Sequence, residues 1–139
     1  MKAITPTAVL VVDDDPDQLQ IARLVLRAQL PGTPVLLCAG SEQALLALAE
    51  VPRGALVLMD RVLDGQESFS AVTAIRDVRP DLSIAMVSAA FSSVDRAYAI
   101  ACGAIEAIEK PATLDGWRTA LGQLGVVLSG PARFAPHAA

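Results

Sequence analysis

Five short runs of apolar residues recur along the chain, at 8–12, 35–39, 55–59, 84–87 and 105–108. Each is continuous rather than alternating, the pattern of strands buried on both faces. The stretches between them carry a helical period. Residues 16–30 place Leu19, Ala22 and Leu26 on one stripe, with Ile21, Val25 and Ala28 beside it. Asp15 followed by Pro16 predicts an N-cap and a proline at the first helical position, and "PGTP" at 31–34 predicts the stop. A second helix should open at Ser41 and close by Pro52, and a third should run over 67–78 before Pro80. Ser92 with Asp95 predicts a capped start to a fourth helix that Gly103 ends. A fifth is expected over 113–128, made irregular by Gly116, Gly122 and Gly125, since each glycine inside a helix costs up to ~1 kcal/mol against alanine.

Strict alternation of strand and helix predicts an α/β fold, a doubly wound (βα)5 layout with a five-stranded parallel sheet flanked by helices. Functional sites in such sheets form beyond the carboxyl ends of the strands. The residues standing there are Asp13 and Asp14 after the first run, Asp60 after the third, Ser88 after the fourth, and Glu109 and Lys110 after the fifth. Three acids, a hydroxyl and a lysine are thereby expected at one edge of the sheet.

Composition narrows the field. The chain has 139 residues, 53% of them hydrophobic, and a net charge of −4 without any Lys/Arg cluster. One domain with a sizeable core fits that length, and direct nucleic-acid binding does not fit that charge. No apolar run is long enough for a membrane span and "MKAITPT" has no signal-peptide core, so a cytoplasmic protein is expected. Cys38 and Cys102 stand singly in apolar segments and read as buried reduced thiols. His137, the only histidine, falls in a small, polar tail, which excludes histidine catalysis. Residues 129–139 read as a tail or linker stub after a domain at 1–128. No repeat, G-x-G-x-x-G or P-loop occurs.

The chemistry turns on three adjacent aspartates. Two carboxylates about 4 Å apart repel by several kcal/mol at an effective dielectric near 20, so something positive must share their space or the side chains must diverge. Asp15 is assigned to the helix cap. Asp13, Asp14 and Asp60 offer the hard oxygens that Mg²⁺ takes, and Lys110 adds a fixed charge. A carboxylate so placed can attack phosphorus, because the cations offset charge on the phosphoryl oxygens. Ser88 could hold one of those oxygens.

The motifs "VVDDD" at 11–15, "LVLMD" at 56–60, "AMVSA" at 85–89 and "EKP" at 109–111 resemble, in order and spacing, the receiver domain of bacterial two-component response regulators, over residues 7–128. The resemblance implies the flavodoxin-like strand order 2-1-3-4-5. It also implies Asp60 as phosphoacceptor, Asp13 and Asp14 as the metal-binding pair with Asp60, and a further metal ligand from the Val62 backbone carbonyl. Ser88 would be the switch hydroxyl, and Lys110 the lysine that precedes a cis bond to Pro111. Mg²⁺ or Mn²⁺ would be the cofactor. The partners implied are a histidine kinase or phosphotransfer protein as donor, a downstream protein target, and a second copy in a homodimer. The domain would be a phosphoacceptor rather than an enzyme, with at most self-phosphorylation from small donors and self-dephosphorylation.

Three positions depart from the family pattern. Asp64, followed by Gly65, stands where proline is usual, and a looser, more negative loop is expected. Ala107 stands where an aromatic switch residue is usual, with Phe91 as the alternative aromatic. Arg61 follows Asp60 where an apolar residue is common; solvation, or contact with the kinase or phosphoryl group, are the two readings. Trp117 and Tyr98 read as packing residues. The whole reads as a stand-alone receiver, an interaction switch acting through the fourth and fifth helices and the fifth strand, signalling by helix repacking rather than an aromatic rotamer. The alternatives are a degenerate receiver used as a phosphorylation-independent binding module, and a haloacid-dehalogenase-like phosphatase. The latter needs a D-x-D nucleophile after the first strand.

Overall fold

A computed structural model describes residues 3–128; the tail at 129–139, with His137, lies outside the described residues. The elements in chain order are β1 (Val9–Val12), α1 (Pro16–Gln29), β2 (Val35–Cys38), α2 (Ser41–Ala47) running into a 3₁₀ turn at Leu48–Glu50, and β3 (Leu56–Asp60). There follow β4 (Val62–Leu63), β5 (Gln66–Glu67), α3 (Phe69–Val78), β6 (Ser83–Ser88), α4 (Ser93–Cys102), β7 (Glu106–Glu109) and α5 (Leu114–Gln123). The main sheet is parallel, in the order β2-β1-β3-β6-β7. That is the expected 2-1-3-4-5, because the short β4 and β5 form a separate hairpin.

Alternation within the continuous apolar runs sends successive side chains to opposite faces. Val9, Val11, Leu56, Leu58, Ala85 and Val87 pack under α1 and α5, against Leu26, Trp117 and Leu121. Leu10, Val12, Val57, Met59, Ile84 and Met86 pack on the other face with Leu48, Val72, Ile75 and Ala99. Two cores flank one sheet, which is why the central strands carry no polar alternation. Trp117 is a core residue. Tyr98 is more than half exposed and meets the Phe69 ring edge-on with centroids 4.7 Å apart. Cys38 and Cys102 are free thiols, the first buried and the second half-buried. No helix among the described residues is long and apolar enough to cross a membrane.

The helix starts obey their caps. Asp15 accepts from the Asp17 amide at 2.9 Å with Pro16 beginning α1. Ser92 caps α4 through the Asp95 amide, and Thr113 caps α5 through the Gly116 amide. Two boundaries differ from expectation. Helix α3 starts at Phe69, not at residue 67, because Gln66 and Glu67 pair with Leu63 and Val62. Helix α5 stops at Gln123, because the following residues turn to set Val126 beside Ile4 in a parallel bridge.

Candidate functional site

The carboxyl ends of β1, β3, β6 and β7 bring the expected side chains to one edge. Asp13 follows β1 and Asp60 is the last residue of β3. One oxygen each from Asp13, Asp14 and Asp60 lies within 4.8 Å of the others. Lys110, just beyond β7, reaches in with its Nζ 3.1 Å from Asp13 Oδ2 and 3.5 Å from Asp60 Oδ2. Asp13 is buried, Asp60 half-buried and Asp14 exposed. Backbone donors fix the acids: the Asp15 amide donates to Asp13 Oδ1 at 3.0 Å, and the Val62 amide to Asp60 Oδ1 at 3.4 Å. The Asp64 amide donates to Asp14 Oδ2 at 2.9 Å. Ser68, buried at the end of the loop, donates its hydroxyl to the Asp60 carbonyl at 2.6 Å and so clamps the strand end.

Three carboxylates face one ammonium, and the charge does not balance. Burial pushes the Asp60 carboxyl above the ordinary range; Lys110 pulls it down and Asp13 pushes it up, and the net direction is up. Burial works to lower Lys110, yet Asp60 and Asp13 outweigh it and hold the ammonium above its usual value. The donor set, hard oxygens in excess of local positive charge and partly open to water through Asp14, fits a divalent cation of the Mg²⁺ type. The lone tryptophan, Trp117, lines the small cleft under Asp13, Asp60 and Lys110.

Ser88 and the positions that depart from the family pattern have partners of their own. Ser88, buried at the end of β6, accepts from Arg61 Nε at 3.2 Å and from the Ala90 amide at 3.4 Å. Arg61 is therefore not simply solvated. Its guanidinium also reaches Glu67 at 3.2 Å and Asp95 at 3.7 Å, and it lies 5.8 Å from the Phe91 ring centre. Ala107 is buried in the middle of β7, opposite Met86, and lines the cleft between α4 and α5 with Phe91 and Arg96.

Two expectations are corrected. The bond between Lys110 and Pro111 is trans; trans is the lower-energy form of an X–Pro bond, and here the Lys110 amide is anchored to the Ser88 carbonyl at 2.7 Å with the bond in that form. The segment around Asp64 is a paired hairpin rather than an open loop. Asp64 (φ +52°) and Gly65 (φ +77°) form a two-residue turn between β4 and β5. Positive φ at both central residues is what a tight hairpin of this hand requires, and Asp-Gly is among its preferred sequences. The signal was present in "VLDGQE", where the flanking strands are too short to show a period of two.

A doubly wound sheet with an acidic cluster and a lysine at its carboxyl edge defines a class of phosphoacceptor signalling domain. The chain belongs to the response regulator receiver domain family, which matches residues 9–121. It is 35% identical over 109 residues to the transcriptional regulatory protein AruR of Pseudomonas aeruginosa, covering 74% of this chain and 43% of that protein. It is 33% identical over 103 residues to the DNA-binding response regulator MtrA of Mycolicibacterium smegmatis, with the same coverages. The chain thus spans less than half the length of these curated relatives. Among solved structures, a response regulator from Thermotoga maritima superimposes with a TM-score of 0.73 at 26% identity, covering 88% of this chain and 98% of that one. The response regulator TrrA from the same organism, solved in complex with Mg²⁺ and BeF, gives 0.69 at 23% identity over 85% and 98% of the two chains.

Proposed function

We propose that this chain is a phosphorylation-controlled switch whose phosphoacceptor is Asp60. The single observation that carries the reading is the Lys110 ammonium shared between Asp13 and Asp60 inside a three-carboxylate cluster. A phosphohistidine of a histidine kinase or phosphotransfer protein is the donor. An Asp60 carboxylate oxygen attacks phosphorus, the P–O bond forms as the P–N bond breaks, and the imidazole nitrogen leaves with the electron pair and takes a proton from solvent. Asp13, Asp14, Asp60 and the Val62 carbonyl would hold Mg²⁺ or Mn²⁺, which supplies charge neutralisation for the phosphoryl oxygens. Lys110 neutralises a further oxygen, and Ser88 donates to a third. TrrA, which shares the fold, was solved in complex with Mg²⁺ and BeF.

The output is a change in binding of a downstream protein target, or of a second copy, at the face formed by α4, β7 and α5. That face is poorly anchored, since Ala99 is the buried residue of α4 while Val94 and Tyr98 are exposed. A cytoplasmic location, a domain ending near residue 128 and the absence of an enzymatic turnover belong to the same reading. Fluorescence of Trp117 tests it. Mg²⁺ should change the emission saturably, and beryllofluoride should change it again only when Mg²⁺ is present. Neither response should survive in Asp60→Asn. Emission that ignores both ligands would remove the reading in favour of a phosphorylation-independent binding module.

A further inference from the structure

Arg61 occupies a junction that the phosphoacceptor reading leaves unexplained. Its Nε–H donates to Ser88 Oγ, one Nη binds both oxygens of Glu67 in the β4–β5 hairpin, and the same Nη lies 3.7 Å from Asp95 in the first turn of α4. The Phe91 ring flanks the guanidinium at 5.8 Å. The backbone of Arg61 is fixed at both ends, its amide donating to the Val87 carbonyl at 2.8 Å and its carbonyl accepting from Ser68 at 2.7 Å. A change at this position is therefore carried by the side chain.

The state of Ser88 explains why that side chain matters. Its oxygen already accepts from Arg61 and from the Ala90 amide. Both lone pairs are engaged, so the remaining capacity of this buried hydroxyl is to donate its proton. Among the described residues that hydroxyl takes part in hydrogen bonds only as an acceptor. A buried donor left open in this way calls for an incoming oxygen. Arg61 thus presents Ser88 as a donor. Its outer partners, the exposed Glu67 and the half-buried Asp95, are open to water, and ion pairs of that kind contribute little.

Resting on the phosphoacceptor reading of Asp60, we propose that Arg61 is the positioning residue that couples the site to α4: it orients the Ser88 hydroxyl toward the phosphoryl group and exchanges its Glu67 and Asp95 contacts when that group arrives. A phosphoryl group on the adjacent residue adds roughly −1.5 to −2 charges and three strong acceptor oxygens. It draws both the Ser88 proton and the guanidinium, in competition with two weakly held carboxylates. The first turn of α4 then loses its tie through Asp95, and the hairpin loses its tie through Glu67. Ala107 has no side chain able to move between two positions, whereas Arg61 has the reach and the paired contacts to do so.

The test is NMR of the described protein with Mg²⁺ and beryllofluoride, using ¹⁹F signals to establish that the adduct has formed. In the wild type, the Arg61 Nε–H resonance and the amides of 93–102 should all shift on adduct formation. In Asp95→Asn the Arg61 resonance should still shift while the α4 amides respond far less. In Arg61→Ala, compared only where the ¹⁹F signal shows adduct, the α4 response should be largely lost, and Arg61→Lys should not restore it, because an ammonium lacks the fixed Nε–H fork. An unmoved Nε–H in a wild-type adduct, or a full α4 response in Arg61→Ala, would overturn the coupling while leaving Asp60 as acceptor. No adduct in the wild type would overturn both.

Discussion

Replacing Asp60 with asparagine should make the metal-free protein more stable, although it removes an ion pair. With the three acidic oxygens within 4.8 Å of one another, Asp60 is repelled by Asp13 and by Asp14 with about 3.5 kcal/mol each at an effective dielectric near 20. Lys110, 3.5 Å from Asp60 Oδ2, returns about 5 kcal/mol on the same scale. The repulsions exceed the attraction by about 2 kcal/mol on this scale; water around the exposed Asp14 removes much of that margin and burial of the Asp60 charge restores it, for a net of about 1–2 kcal/mol. Lys110 is not orphaned by the change, because Asp13 Oδ2 remains at 3.1 Å. The Asp60 carboxyl is raised first by burial, a cost of the charge that asparagine escapes, while Lys110 pulls it down and Asp13 pushes it up. A raised folded value means that this group's contribution is fully present below the ordinary value of 3.8 and is lost as pH rises through the folded value.

Urea unfolding of the wild type and Asp60→Asn in EDTA at neutral pH measures the difference. The asparagine variant should gain about 1–2 kcal/mol, a rise of roughly 3–8 °C in Tm for a chain of this size. The gap should close as pH falls toward the ordinary carboxylate range. Added Mg²⁺ should reverse the order, since a ligand at 100 times its Kd stabilises by about 2.7 kcal/mol and the variant has lost one ligand. A variant less stable than the wild type in EDTA would refute the reasoning, because it would mean that the Lys110 pair dominates and the carboxylates do not repel.

The hairpin, the α4 terminus and the far end of the sheet each give a sharper local test. Asp64→Pro, which restores the residue usual in the family, should destabilise by more than about 1 kcal/mol, because proline cannot adopt φ +52° or supply the amide that binds Asp14. Asp64→Gly should cost little in the same urea assay. Gly103→Ala should also cost more than about 1 kcal/mol, since φ is +119° and the new methyl would sit 2.6 Å from Arg76 Cγ. Adding Arg76→Ala should recover only the steric share. Asp81 is held far below the ordinary carboxylate range, first by the bidentate Arg79 and then by the Gly54 amide. Its stabilisation is present above the ordinary value and is lost as pH falls below it, so the stability difference between wild type and Asp81→Asn should shrink in acid.

The sheet was legible because its central strands are buried on both sides, which writes continuous apolar runs into the chain, and because strand-end positions in a parallel sheet converge. Asp13, Asp14, Asp60 and Lys110 could therefore be placed together from spacing. What periodicity does not encode is the direction of an individual side chain, and Arg61 is the clearest case. Beside Asp60 it could face solvent or Ser88, and the choice depends on Glu67, Asp95 and Phe91, which come from three other segments. The β4–β5 hairpin was missed for a different reason: strands of two residues carry no pattern, so only the Asp-Gly pair announced it. The end of α5 depended on Val126 pairing with Ile4, a contact between the two ends of the domain.

Intact mass after incubation with acetyl phosphate, with and without Mg²⁺, for the wild type and Asp60→Asn tests the assignment of Asp60 most directly. One phosphoryl adduct should form on the wild type, require Mg²⁺, and be absent from the variant. An adduct of equal yield on Asp60→Asn, or none on a folded wild type at saturating Mg²⁺, would contradict Asp60 as the phosphoacceptor.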